Sequence, residues 1–374
     1  MDITVKTLQK QIPISKLTWW EPQFTEEDVK AVADVIRNGF VNEGKKTAEL
    51  TQRMQKFFNV AYVLATCSGT IALYLALKAC GVEERDEVLV PDLTFIATAN
   101  AVILCGAKPI LVNIRLSDLN IDPNQLKSSI TKRTKAILPV HINGRCADMD
   151  AIQSVTKEYN LAVIEDAAQG LGSSYKGKYL GTFGDAGCIS LAPTKIITSA
   201  QGGLIFTNRQ DIYEKVVRLK DHGRLSRSWN YHPEIGFNFK FSDIYAALTN
   251  AQFNYLPGRL EKAKHDWTLY YNALADLPTV TFIETDFEKG TVPLWVDALV
   301  EDREGLIESL KTQGIDCRPF WPAIHTQTPY HQDGDFSNAA YAAEHGIWFP
   351  SGAGKTDEDI QYVINAVRKY YGKK

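Results

Sequence analysis

Five short, nearly continuous apolar runs limit what this chain can become: AYVLAT (61–66), DEVLVP (86–91), KPILVNI (108–114), TKAILPVHI (134–142) and LAVIED (161–166). A run apolar on both sides of its pleat needs cover on both faces. Stretches with helical patterning separate the runs, among them GTIALYLALKACG (69–81) and DMDAIQSVTKEYN (148–160). Strands alternating with helices build a parallel sheet with helices on each side, so an α/β class is expected. TEEDVKAVADVIRNG (25–39) adds a helix that opens on a capping box at Thr25 and Asp28 and stops at Gly39.

The pattern changes after a long helical stretch, 241–277. TVTFIE (279–284) and TVPLWVDALV (291–300) read as strands, DREGLIESLKTQG (302–314) as a helix and DEDIQYVINAVRKYY (357–371) as a terminal helix. At 374 residues the chain is long for one core. The division expected is a large domain over 1–255, with an N-terminal arm, and a smaller α+β domain over 256–374.

Charge narrows the partners. Forty-one Lys and Arg against 44 Asp and Glu leave a net charge of -3, so neither nucleic acid nor an anionic membrane is expected. The longest apolar runs, such as ANAVILCGA, end well short of a membrane span, and the N-terminus has no signal-peptide core. Six scattered cysteines without a C-x-x-C pair suggest buried thiols in a reducing cytoplasm and no metal site.

In open parallel sheets the ligand lies beyond the carboxyl ends of the strands, so the residues after each run deserve inspection. CSGTIAL (67–73) places Ser68, Gly69 and Thr70 at a helix start, which makes either an ordinary cap or a phosphate cradle. PDLTFIATANA (91–101) offers Phe95, a core residue or a stacking face for a flat ring. VIEDAAQ (163–169) ends a run on Glu165 and Asp166; Asp166 is either a helix cap or a buried carboxylate facing a ring nitrogen. LAPTKIITSAQGG (191–203) follows another apolar run and carries Lys195, which holds a phosphate, captures a carbonyl or is solvated. GAGKT (352–356) imitates the end of a P-loop, but Phe349 stands where its first glycine belongs, so it reads as a loop before the last helix.

One ligand explains the set. A lysine at the edge of a buried sheet is a good nucleophile toward an aldehyde. With a carboxylate for a pyridine nitrogen, a phosphate cradle and an aromatic face, it meets the requirements of pyridoxal 5'-phosphate.

The order and spacing of these motifs resemble the DegT–StrS family of pyridoxal-phosphate-dependent sugar aminotransferases, which have the aspartate aminotransferase type of fold. The resemblance runs over about residues 10–370. It is densest in SGTIALYLALKACGV, DEVLVPDLTFIATANAVILCGAKPILVNI, IDPNQLKSSITKRTKAILPVHINGRCADMDAI, VIEDAAQGLGSSYKGKYLGTFGDAG and DHGR…GFNFKFSDIYAAL. It implies that Lys195 binds the cofactor's aldehyde and shuttles the proton, and that Asp166 pairs with the ring nitrogen. Gln169 lies beside the ring oxygen and Phe95 stacks on the ring. Ser68, Gly69, Thr70 and Ser190 hold the phosphate, with Asn238 reaching it from a neighbouring subunit in a homodimer with shared sites.

The implied reaction moves an amino group from an amino acid, glutamate, to a nucleotide-linked keto-sugar for amino-sugar and surface-polysaccharide synthesis. GIDCRPFWPAIHTQTPY (314–330) matches the family's arginine, proline and histidine pattern. Arg318 and His325, with Trp19 and Trp20, are candidates to touch substrate. The alternatives are a sugar dehydratase of the same family, which carries histidine in place of Lys195, and a catalytically silent regulatory or assembly homologue. Two departures stand out: Ala200 and Gln201 replace the family's usual glycine and acidic residue before the glycine pair, and SLAPTK (190–195) replaces an aromatic-rich segment.

Overall fold

A computed structural model describes residues 17–226 and 228–372; the first sixteen residues of the expected arm lie outside them. Seven strands form the main sheet: β1 (Tyr62–Thr66), β2 (Glu87–Pro91), β3 (Lys108–Val112), β4 (Thr134–Ile137), β5 (Ala162–Asp166), β6 (Ala186–Ser190) and β7 (Gly203–Thr207). Their order is β1-β7-β6-β5-β4-β2-β3. All pairs from β6 to β3 are parallel, and β7 is antiparallel to both neighbours. The α/β class expected from the apolar runs is the class observed.

Helices cover both faces. Between β1 and β2 runs α1 (Gly69–Ala79), where Ala72, Leu73, Leu75, Ala76 and Leu77 are all buried. A helix apolar nearly all round must lie inside the protein. Each fully buried leucine contributes roughly 1.5–3 kcal/mol over an exposed one, so the start of α1 is held firmly. Following β2 is α2 (Ala97–Leu104). The first helix of the described residues, Glu26–Arg37, has the expected capping box at Thr25 and Asp28.

A second, antiparallel sheet contains β8 (Val280–Phe282), β9 (Val296–Val300), β10 (Arg318–Pro319) and β11 (Gly346–Phe349), ordered β8-β9-β11-β10. Two details depart from the sequence reading. The long helical stretch is two helices, Asp243–Phe253 and Leu256–Leu274, because Pro257 at the start of the second cannot donate the bond that would continue the first. The strand expected over 291–300 begins only at Val296, since the Trp295 N–H is taken by the Asn143 side chain at 2.8 Å.

The two sheets are joined by polar groups. Arg145 makes a two-pronged pair with Asp297 at 3.1 and 2.7 Å, and both residues are buried. Asn143 adds a reciprocal pair with the Trp295 backbone, its amide donating to Trp295 O at 2.8 Å. Gly352–Thr356 is a loop, with Thr356 capping the last helix and buried Lys355 held by Thr18 at 3.1 Å. Among the described residues no helix is long and apolar enough to cross a membrane.

Candidate active site

The candidate residues converge because they follow the same ends of neighbouring strands. Ser68–Thr70 come after β1, Phe95 after β2, Asp166 ends β5 and Ser190 ends β6. β7 runs the other way, so its first residue, Gly203, reaches the same edge. A Cβ on Gly203 would lie 2.4 Å from Ser68 O; only glycine permits this approach.

Ser68 caps α1, its hydroxyl accepting from Ile71 N at 3.2 Å. Ser190 is buried against Gly69, where an added Cβ would lie 3.0 Å from the serine Cβ. Together they form a cradle of free helix N–H groups and hydroxyls that suits a phosphate dianion.

Lys195 sits in the turn after β6. Two indoles brace this turn: Trp20 Nε1 donates to Pro193 O at 3.1 Å, and Trp295 Nε1 donates to Thr194 O at 3.2 Å. The Lys195 ammonium lies 5.1 Å above the Trp295 ring and has no hydrogen bond or ion pair to another described residue. Burial lowers its pKa to about 8, with the Asp166 charge pulling the other way.

Asp166 is buried, and burial raises its pKa. Thr98, the Ala168 N–H and the charge of Lys195 oppose that rise. Its Oδ2 accepts from Thr98 Oγ1 at 2.8 Å and its Oδ1 from Ala168 N at 3.1 Å. A carboxylate has about four acceptor positions, which leaves capacity for another donor. Glu165 is spent on structure, accepting from His141 and from the backbone of Gly181, Phe183 and Gly184 at 2.6–2.9 Å. Buried Gln169 accepts from Asn143 N at 2.8 Å, which leaves its amide N–H groups for a ligand.

Phe95 is 51% exposed, its ring 5.7 Å from that of Trp321. A large aromatic left bare, three residues before the Thr98 that bonds Asp166, offers a face to a flat ligand. An unpartnered amine, an available carboxylate, a phosphate cradle and this face together fit pyridoxal phosphate.

The other candidates differ in position. His325 Nδ1 donates to Asp92 Oδ2 at 2.6 Å, and His325 N donates to Asp92 Oδ1 at 2.7 Å; Asp92 follows β2, so His325 is held beside the Phe95 loop. Trp20 braces the lysine turn, and Trp19 packs between Trp295 and Trp348. Arg318 is largely exposed on β10 beside Asp316 at 3.6 Å. Asn238 is exposed and bridges to Asp221. Neither is joined by a hydrogen bond to the lysine turn within the chain. Sequence reasoning overlooked Thr98 and Trp295. Thr98 follows a strand end and was open to the same search; Trp295 arrives from the other sheet without any local signal.

Comparison with known proteins places the chain in a family. Residues 22–368 match the model of the DegT/DnrJ/EryC1/StrS aminotransferase family. The chain is 31% identical to a GDP-perosamine synthase of Vibrio cholerae, over 94% of this chain and 98% of that protein. It is 36% identical to a GDP-perosamine synthase of Caulobacter vibrioides, over 87% and 90%. A putative sugar aminotransferase of Streptococcus pneumoniae, Spr1654, solved in its PMP form, superposes with a TM-score of 0.90 at 26% identity, covering 96% of this chain and 98% of that one. The chain belongs to the DegT/DnrJ/EryC1/StrS aminotransferase family and is a pyridoxal-phosphate-dependent sugar aminotransferase.

Proposed function

We propose that Lys195 and Asp166 carry the reaction, that the amino donor is L-glutamate and that the acceptor is a nucleotide-linked keto-sugar. The observation that carries the assignment is the unpartnered, pKa-lowered Lys195 amine within the field of the Asp166 carboxylate at one sheet edge. The GDP-perosamine synthase relatives support a nucleotide-linked acceptor and amino-sugar synthesis, and a 31% identical spore coat polysaccharide biosynthesis protein of Bacillus subtilis, SpsC, supports a role in surface-polysaccharide synthesis.

Pyridoxal phosphate supplies an aldehyde that takes up the amino group and a ring that accepts the electron pair freed at Cα. Lys195 Nζ, neutral in part near pH 7, takes the Cα proton and returns it on the other side of the transfer. With the cofactor bound, Asp166 would hold the proton on the ring nitrogen, Gln169 would donate to the ring oxygen and Phe95 would offer its face to the ring. Ser68, Gly69, Thr70 and Ser190 anchor the phosphate. His325, fixed by Asp92, is a candidate substrate contact, as are Trp20 and Arg318. A lysine at position 195 favours transfer over the dehydratase alternative.

Asn238 serves the partner's site in a homodimer. Its segment exposes Trp229 (60%), Ile235 (82%) and Phe237 (51%), apolar side chains that a partner subunit would cover. We assign residues 1–255 and 256–374 to the large and small domains. Six unpaired thiols suit a cytoplasmic enzyme.

The test is optical. The purified protein with pyridoxal phosphate is expected to be yellow and to bleach on adding glutamate, and Lys195→Ala is expected to stay folded and lose turnover. A wild-type protein that gains no colour with the cofactor refutes the assignment.

A further inference from the structure

Two threonines that none of the steps above uses stand behind Asp166. Thr98 Oγ1 donates to Asp166 Oδ2 at 2.8 Å, and Thr94 Oγ1 lies 3.0 Å from Thr98 Oγ1. Both threonines are 1% exposed, so protein rather than solvent meets their hydroxyls. Thr98 occupies the first turn of α2, and Thr94 lies four residues earlier in the loop after β2.

Chemistry sets the direction of this chain. An ionised carboxylate only accepts, so Thr98 must spend its single proton on Asp166. Its oxygen then has lone pairs to accept the proton of Thr94. The order Thr94 to Thr98 to Asp166 makes Oδ2 an acceptor, and a donor aimed at that oxygen favours the charged form of the group. A proton placed on Oδ2 would compete with that of Thr98 for the same line.

The bonds also settle orientation. Thr98 holds one carboxylate oxygen and Ala168 N holds the other at 3.1 Å, which fixes the plane of the group. A valine at 98 would keep the shape and remove the donor. A serine would keep the donor and remove the methyl.

We propose that Thr98, oriented by Thr94, is a positioning residue that keeps Asp166 ionised and aimed so that the carboxylate can hold a proton on the ring nitrogen of the bound cofactor. This rests on the role given to Asp166 above. A bond from a neutral donor to a buried charge is worth enough that its loss should weaken cofactor binding by about 10- to 100-fold.

The experiment loads wild type, Thr98→Val, Thr98→Ser, Thr94→Val and Asp166→Asn with pyridoxal phosphate labelled with 15N in the ring. The ring-nitrogen shift is read by NMR near neutral pH and affinity by absorbance titration. Expected is a protonated-nitrogen shift in wild type and Thr98→Ser. In Thr98→Val the shift moves toward the neutral pyridine value and binding weakens, and Thr94→Val moves less in the same direction. If Thr98→Val folds poorly, Thr94→Val reads the same chain while leaving the bond to Asp166 in place. A Thr98→Val protein with wild-type shift and affinity overturns the proposal. So does a Thr98→Ser protein that moves as far as Thr98→Val, because packing of the methyl would then be the cause. If Asp166→Asn and wild type share one ring shift, the assignment of Asp166 falls and this inference with it. If Asp166→Asn loses the protonated shift while Thr98→Val keeps it, only the role of Thr98 falls.

Discussion

Loading of Lys195 by its cofactor is expected to follow the titration of one amine. Only the neutral amine attacks an aldehyde, so the loading rate should rise with pH and level off above the lysine pKa. Burial lowers that pKa to about 8 from the ordinary 10.5. At pH 7 about one molecule in ten then carries a neutral amine, against about three in ten thousand for a solvated lysine, a gain of about 300-fold. The assay mixes cofactor-free protein with pyridoxal phosphate at a series of pH values and follows the appearance of colour, with Lys195→Ala as baseline. The inflection is expected near pH 8. Asp166→Asn should move it lower, because the carboxylate is the neighbour that favours the charged ammonium. An inflection near 10, or an upward move in Asp166→Asn, refutes the reasoning that burial activates this amine.

The same shift affects stability. Between about pH 8 and 10.5 the unfolded chain holds the Lys195 proton and the folded chain does not, so the cofactor-free protein should gain stability with rising pH in that window relative to Lys195→Met; parallel melting curves contradict this. Ala200 has a left-handed backbone at φ 67°, so Ala200→Gly should relieve up to about 1 kcal/mol of strain and raise the melting temperature. Asp297→Ala leaves the Arg145 guanidinium buried and unpaired and should cost about 3–5 kcal/mol by denaturant titration, whereas replacing both residues with apolar ones of like volume should recover most of it. Gly203→Ala should force Ser68 away from β7 and weaken cofactor affinity while most of the fold survives, as read by absorbance titration beside circular dichroism.

Much of this site was legible because each part is local. Ser68–Thr70, Phe95, Asp166 and Lys195 each follow an apolar run within a few residues, and the carboxyl-edge rule brings such positions together without any knowledge of strand order. The bracing was not legible. Trp295 comes to Lys195 from the second sheet, and its bonds with Asn143 span 152 positions of sequence. The same contact shortened the strand expected over 291–300, since a side-chain amide took the place of a strand partner. The break before Leu256 was missed for a different reason: helical patterning continues on both sides of it, and only Pro257 marks the change.

The indoles around the lysine turn have an optical consequence. Of seven tryptophans, Trp20 and Trp295 hold the turn itself, and Trp19, Trp321 and Trp348 pack on Trp295 with ring centroids 5.1–6.1 Å away. The ultraviolet emission of the chain therefore originates largely beside the one amine that acquires a visible chromophore. Energy transfer falls steeply with distance, so capture of a yellow group at Lys195 should quench these five donors strongly. The unlabelled protein thus carries its own gauge of occupancy, which can be read at dilutions where the yellow colour is too faint to measure.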